Sequence, residues 1–472
     1  SYWDYWSPEN PNFFTDFYKV SIAMTAQLRD HPEFERFRKA AENRLREDMH
    51  FSVTLPSGAG QECPGYLGHG LSGWEALAPM CRQYLGFDPT TWERFKAAKG
   101  FLKRISQPDG DRRRDLPMGD THPDRAGGGG PKFVNAGGEV KNWKTEELVG
   151  FGVIFQNNAG TAKETYLAFK AGPNRGHFHG DQLAFHYCAN AKPVAVDHHC
   201  SYAPRAGQEH MHNRVAFSTD KLTYANMDGY ERLIAFKTSP VADIAVGQVE
   251  SDRLREMVKL PPEVWHHEYP QHQFAKPLVY RRTIVMMKGQ RQDYFVIRDQ
   301  YWAPEPLKAT YCLHVLGDKM EQKGQAVDFG GKLTLHAVEP SKFEFESLPW
   351  SHNNGGHEST QGARLSIKAD KGQFITVLYP GKAPAITAID GGVKVGNDEI
   401  TFATDQPTAG DAATYVTVKR EGKEVISLVG KDIDLGRFQG DVGLFMPDAG
   451  YPFGEIPDWL IKQRNKKPDW AK

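Results

Sequence analysis

Residues 176–213 read GHFHGDQLAFHYCANAKPVAVDHHCSYAPRAGQEHMHN and carry seven of the chain's 18 histidines, several times an even spread. Two strand-like runs lie inside the stretch, Leu183 to Tyr187 and Pro193 to Val196, the second running into Asp197. Histidine and aspartate at the ends of adjacent strands converge on one point, the geometry of a metal site built across a hairpin. The possible ligands are His177, His179, Asp181, His186, Asp197, His198, His199, His210 and His212. Two residues apart in a strand, His177 and His179 share a face. Asp197 ends the return strand, and His212 arrives just before the apolar run RVAFS (214–218). These positions point to a zinc site made by His179, Asp197 and His212, with water able to fill the remaining tetrahedral position. The bland alternative is a polar loop with surface and core histidines. Cys188 and Cys200 face the same choice, a disulfide across the hairpin or two buried thiols.

Downstream of this stretch the chain keeps a period of two. Examples are LVYRRTIVMM (278–287), DYFVIRDQY (293–301), ATYCLHVL (309–316), KLTLHAV (332–338), FITVLYPG (374–381) and EVISLVG (424–430). Just upstream, FGVIFQ (151–156) and ETYLAFKA (164–171) continue the pattern. Short strands with Gly, Asn and Asp turns and no intervening helix predict an antiparallel sandwich or stacked sheets.

Nearer the start the period changes to that of helices. Phe13 to Leu28 and Glu33 to Met49 read as two helices, the second opened by Pro32. SGAGQECPGYLGHG (57–70) reads as a Gly- and Pro-punctuated loop, followed by helices from Leu71 to Leu85 and from Pro89 to Ile105, with Asp88 or Thr91 as cap. The charged, then glycine-rich run DGDRRRDLPMGDTHPDRAGGGGP (109–131) offers nothing to build a core, and reads as linker. The expected class is therefore α+β and multidomain: helical hairpins over 1–106, a linker over 107–147, an antiparallel β-sandwich over 148–450 and a tail over 451–472.

At 472 residues, 39% hydrophobic and 25% charged, with a net charge of -1, the composition is globular and gives no long-range pull toward nucleic acid or anionic membranes. No run approaches the ~18 apolar residues of a membrane span. The opening SYWDYWSPEN is no signal peptide, which leaves a removed leader open. Five cysteines do not make a disulfide scaffold.

Two further residues stand out. Tyr66, in ECPGYLGHG, sits in a conformationally restricted stretch; a tyrosine can act as general acid or base when a neighbouring cation lowers its pKa, and otherwise is a packing residue. Asn12, in NPNFFTDF, precedes a helical run and on its own reads as an N-cap.

Together these residues resemble the heparinase II/III-like polysaccharide lyases, a group that includes oligoalginate lyases. The resemblance lies in GHFHGD, an apolar strand, VAVD and then His212–Asn213, with Asp197 falling 18 residues after His179. DYFVIRDQY, the His314–Val315 pair and GGHESTQGARL (355–365) are similar to the sandwich of the same group. In the helical part the group places an Asn or His on one toroid helix and a catalytic Tyr later, matching Asn12 and Tyr66, 54 residues apart. Phe13 stands where a His often follows the Asn, and Asn10 is an alternative to Asn12.

The resemblance implies β-elimination at a uronic acid of a polysaccharide, in a periplasmic or secreted enzyme. Asn12 would bind the uronate carboxylate, with His177 beside it as donor or base. Tyr66 would transfer the proton, and Tyr202 is a second candidate for that role. His179, Asp197 and His212 would bind zinc in a structural role. Arg175, Arg205 and Arg214 flank the cluster and could read uronate or sulfate through bidentate contacts. A full α/α toroid needs more helices than precede residue 105, so the missing ones would lie upstream of Ser1 or in another chain. Two rival readings remain: a cupin-like metal oxygenase, which His-x-His, Asp and a later His also imitate, and a non-catalytic carbohydrate-binding protein with a structural zinc.

Overall fold

The computed structural model describes residues 11–47, 49, 57–60, 62–121, 140–172, 177–196, 208–223, 225–227, 229–256, 270–289, 291–351, 359–403 and 413–435. The helices are α1 (Pro11–Gln27), α2 (Phe34–Glu47), α3 (Pro64–Met80) and α4 (Glu93–Ile105). Periodicity alone starts the third helix at Leu71; it starts seven residues earlier. Pro64 occupies its first position, where a fixed φ suits the helix and the absent N–H has no partner to lose. Leu67, Leu71, Trp74 and Leu77 then bury one stripe, and that packing offsets the cost of the glycines at 65, 68, 70 and 73. Before α4, Asp88 caps a short 3₁₀ turn, its carboxylate accepting the Thr90 N–H at 2.9 Å.

The segment after α4 is not the coreless linker that its charge suggests. It forms a hairpin of β1 (Gln107–Asp109) and β2 (Arg112–Arg114). Arg113 is fully buried, and its Nη1 meets the equally buried Glu164 at 2.8 Å. The guanidinium also donates to the Ser106 carbonyl and lies over Trp143, 4.9 Å from the ring centroid. Leu116 and Met118 have no exposed surface and join the core of the helices. One paired charge and two apolar side chains thus bury Arg113 and the run Leu116–Gly119, against the local composition, while the turn at 110–112 stays exposed.

Next come β3 (Glu146–Leu148), β4 (Gly152–Asn157), β5 (Thr165–Lys170), β6 (Phe185–Ala189) and β7 (Lys192–Ala195), hydrogen-bonded to one another in that order, all antiparallel. They form one end of a sixteen-stranded sheet, as counted over the described residues. The sheet continues through β8 (Val215–Ser218), β9 (Ala225–Met227), β10 (Tyr230–Thr238), β11 (Ala242–Glu256), β12 (Gln271–Met287), β13 (Tyr294–Leu316) and the long strand Ser359–Pro380. Runs 293–301 and 309–316 prove to be two parts of β13.

Alternation explains the layering. On β4 and β5, Ile154, Tyr166 and Ala168 pack into the core of the helices, whereas Val153, Phe155, Leu167 and Phe169 face the sandwich interior. On β11 to β13, Ala245, Ile284 and Phe295 face that same interior. Their neighbours Ile244, Val285 and Val296 face a five-stranded sheet running from Ile386 to Val429. The architecture is thus α+β, helical hairpins followed by a large antiparallel β-sandwich, as expected. Among the described residues no helix is long and apolar enough to cross a membrane. The tail 451–472 lies outside the described residues.

Candidate active site

The loop from β5 to β6 carries His177 and His179 to the seam between the sandwich and the helices. Its two ends are fixed by one buried ion pair. Lys170 Nζ, at the end of β5, meets Glu231 at 2.7 Å and donates to the Gly172 carbonyl at 3.0 Å. The other oxygen of Glu231 accepts the Leu183 N–H at 2.9 Å. Asp181 is fully buried, 3.9 Å from the same ammonium, which gives this metal-ligand candidate a place in the charge cluster instead. Burial, opposed by Lys170, pushes the Glu231 carboxyl up to about 7.

Starting α3 at Pro64 puts Tyr66 in its first turn, half-buried and aimed at that loop. The Tyr66 and His177 rings stack with centroids 3.4 Å apart and planes 11° from parallel. Behind His177, its Nδ1 lies 2.8 Å from Oε1 of Glu62, a nearly buried carboxylate just ahead of the helix cap. His179 goes elsewhere: its Nε2 is 2.8 Å from Asp120 Oδ1. The two histidines therefore do not share a strand face. They sit in a loop, His177 has a left-handed φ of 41°, and each ring points to a different carboxylate. Between them Phe178 packs on the core of the helices, with Lys170 Nζ 4.8 Å from its ring centroid.

The segment ending at Thr121 locks this arrangement. The Asp120 N–H donates to the His177 carbonyl at 2.8 Å, and the Gly65 N–H donates to Thr121 Oγ1 at 2.9 Å. Gly119, at φ 59°, is in the left-handed region, and a Cβ there would stand 2.4 Å from the His177 carbonyl oxygen and 2.7 Å from Cys63 Cβ. Gly119→Ala is therefore expected to lower stability by about 1–3 kcal/mol. It should also displace His177, so urea unfolding and turnover should both report the change. Burial pushes the Cys63 thiol up to about 12, so it stays neutral beside the site.

A 3₁₀ turn, Glu209–Met211, delivers His212. Its side chain is fully buried, with the ring centroid 5.4 Å from that of His179. Two rings on a tetrahedral zinc, with Zn–N near 2.1 Å, have centroids about 5 Å apart, so this pair fits in type and spacing. With Nε2 on Asp120, His179 would bind a metal through Nδ1, the common carboxylate–histidine–metal arrangement. Asp197, the third expected ligand, lies outside the described residues, as do His198 and His199. Among the described residues no group of three His, Cys, Asp or Glu could hold a metal.

The remaining candidates separate clearly. His186 is buried against Gln107 Oε1, away from His179. Burial, with Arg364, His314 and His212, pushes His210 down to about 3, so it is neutral. Arg214 is corrected from substrate binder to framework. It is fully buried, pairs with Glu209 at 3.1 Å and donates to the Gly180 carbonyl and Gln182 Oε1, each at 2.9 Å, which leaves no face for a sugar. Cys188 is a buried thiol. Tyr202, Arg175, Arg205 and Cys200 lie outside the described residues; Asn12 lies in α1, and its side chain is outside the described part.

Glu62 and Asp120 are the functional candidates that residue patterns miss. Reading Pro64 as a first helical position would have placed Glu62 beside Tyr66. Asp120 gives no signal of its own inside a charged run.

No family model matches the sequence, and no curated protein matches it. Solved structures do. The chain is similar to a heparinase III, with a TM-score of 0.59 and 15% identity over 87% of this chain and 64% of that one. It is likewise similar to the heparan sulfate lyase HepC from Pedobacter heparinus, with a TM-score of 0.59 and 12% identity over 88% of this chain and 65% of that one. The chain thus spans a little under two thirds of the length of these neighbours. The fold, with its helical hairpins set against a stacked antiparallel sandwich, is that of the heparinase-like polysaccharide lyases.

Proposed function

We propose that the chain is a polysaccharide lyase that cleaves a uronic-acid-containing polysaccharide by β-elimination. The observation that supports this is the stack of Tyr66 on His177 with Glu62 behind it: two side chains of types able to transfer protons, and a carboxylate that orients one of them. The reaction removes the proton at C5, next to the uronate carboxylate, and expels the oxygen at C4. C5–H is weakly acidic, and its loss becomes feasible when hydrogen-bond donors offset the charge of the enolate-like intermediate. Asn12, at the start of α1, is the proposed donor to that carboxylate. His177 serves as donor or base, and Tyr66 transfers the proton on the same edge. Tyr202, Arg175 and Arg205 remain proposed contributors to proton transfer and to uronate or sulfate recognition.

Zinc on His179, Asp197 and His212 would supply a structural cross-link, fixing the loop that presents His177. Metal analysis of the purified chain should find about one zinc per molecule. His179→Ala and His212→Ala should each lose it and melt at lower temperature; full retention in both would refute these ligands. A uronate-cleaving enzyme of this kind is proposed to act in the periplasm or outside the cell.

The test is incubation with alginate, ulvan, heparan sulfate, hyaluronan and chondroitin, followed by the ultraviolet absorbance of the unsaturated product. Product from any of them, lost in Tyr66 and His177 variants, supports the proposal. No product from any, or undiminished cleavage in both variants, returns the chain to a carbohydrate-binding role. Bound iron or manganese with oxygen consumption would instead favour the cupin-like oxygenase.

A further inference from the structure

We infer that Arg281 and Arg298 form a buried site for one monovalent inorganic anion, chloride in ordinary solution, at the seam between the main sheet and the five-stranded sheet. The site is independent of the lyase reading.

Seven arginines are buried among the described residues. Five of them lie within ion-pair distance of a carboxylate, as Arg113 does with Glu164 and Arg282 with Asp299. Arg281 and Arg298, 3% and 2% exposed, bond to neutral amides instead. Nε and Nη2 of Arg281 donate to Gln248 Oε1 at 2.8 and 2.5 Å. Nε of Arg298 donates to Gln373 Oε1 at 2.9 Å. In each guanidinium Nη1 is buried and has no hydrogen-bond partner.

The two exceptions are neighbours. On the paired strands β12 and β13, Arg281 stands opposite Gln300 and Thr283 opposite Arg298. Alternation puts all four side chains on the face that carries Val285 and Val296, toward the five-stranded sheet. The arginines occupy one diagonal of this square, a spacing that side chains of their length span easily. Tyr415 of the five-stranded sheet engages the other diagonal, its hydroxyl 3.1 Å from Thr283 Oγ1 and 3.2 Å from Gln300 Oε1. Phe402 of the same sheet covers Arg298, whose guanidinium carbon is 5.2 Å from the ring centroid.

The local charge does not balance. Burial pushes the Arg298 pKa down and Arg281 adds to the push, against Tyr415 and Glu339. Glu339 also accepts from the Gln373 amide, and Glu250 is taken by Arg232 and the Gln248 amide. Set against Glu339, two guanidiniums leave one positive charge, and an arginine does not shed its proton to remove it. Water could accept from both Nη1 atoms without balancing that charge, whereas one monovalent anion does both. Because both Nη1 atoms are screened from solvent, a small free ion suits the site and an anionic group tethered to a polymer does not. Bound there, the ion would tie the five-stranded sheet to the sandwich.

The test follows the thermal unfolding midpoint of the full chain as sodium chloride replaces sodium gluconate at constant ionic strength. For millimolar affinity, a hundredfold rise in chloride should raise the midpoint by at least about 3 °C, because the anion binds the folded chain alone. Arg281→Gln and Arg298→Gln should each abolish most of that shift. Diffraction at the bromine edge from crystals of the unaltered chain grown in bromide should show one anomalous peak in contact with both Nη1 atoms, a result that holds even where a variant fails to fold. A midpoint indifferent to chloride, a shift of the same size in both variants, or a crystal without that peak overturns the site.

Discussion

Tyr66→Phe is expected to lower kcat on the cleaved polymer by about 10²–10⁴-fold, the usual worth of a positioned proton-transfer group. Phenylalanine keeps the ring, the first turn of α3 and the stack on His177 at 3.4 Å. Only the phenolic oxygen goes, so stability should change by less than about 1 kcal/mol. KM should change little, because a group that matters only while the proton moves adds little to ground-state binding. Steady-state kinetics and thermal unfolding on the same preparation separate the two effects. A large fall in stability, or a KM effect without a kcat effect, would make Tyr66 a packing residue.

The second large effect is expected away from the reacting groups. Asn213→Ala should destabilise the fold by about 3–9 kcal/mol, because it leaves three buried backbone groups unpaired at about 1–3 kcal/mol each. Asn213 Nδ2 donates to the carbonyls of Phe185 and Val196, both at 3.0 Å, and its Oδ1 accepts the His314 N–H at 2.7 Å. One side chain thereby joins the start of β6, the residue before Asp197, and β13. Its neighbour His212 is a proposed zinc ligand, so metal content should fall along with the urea midpoint. A loss below about 1 kcal/mol would show that water replaces the amide there.

These two residues also mark how far the sequence could be read. The histidine cluster, the His212–Asn213 pair and the period-two strands are local patterns, and a chain built mainly of antiparallel hairpins keeps such patterns intact. Tyr66 is legible for the same reason, although Pro64, which reads as a loop breaker, opens a helix. Glu62 and Asp120 were not visible, because an isolated carboxylate gains meaning only from the histidine it meets across 115 and 59 residues of chain. Arg214 misled in the opposite direction. A charged side chain beside a metal motif reads as a substrate contact until Glu209, Gly180 and Gln182 are seen to surround it. The hairpin at 107–114 was hidden likewise, its buried Arg113 balanced by Glu164, 51 residues away.

The Tyr66–His177 pair is proposed to perform β-elimination on a uronate, and a paired assay tests this most directly. The full chain and its Tyr66→Phe variant are incubated with the same panel of uronic-acid polysaccharides, and the absorbance of the unsaturated product is recorded. The account predicts a rise with at least one polymer for the full chain, reduced by about 10²-fold or more in the variant. No rise with any polymer, or equal rates for the two proteins, would contradict it.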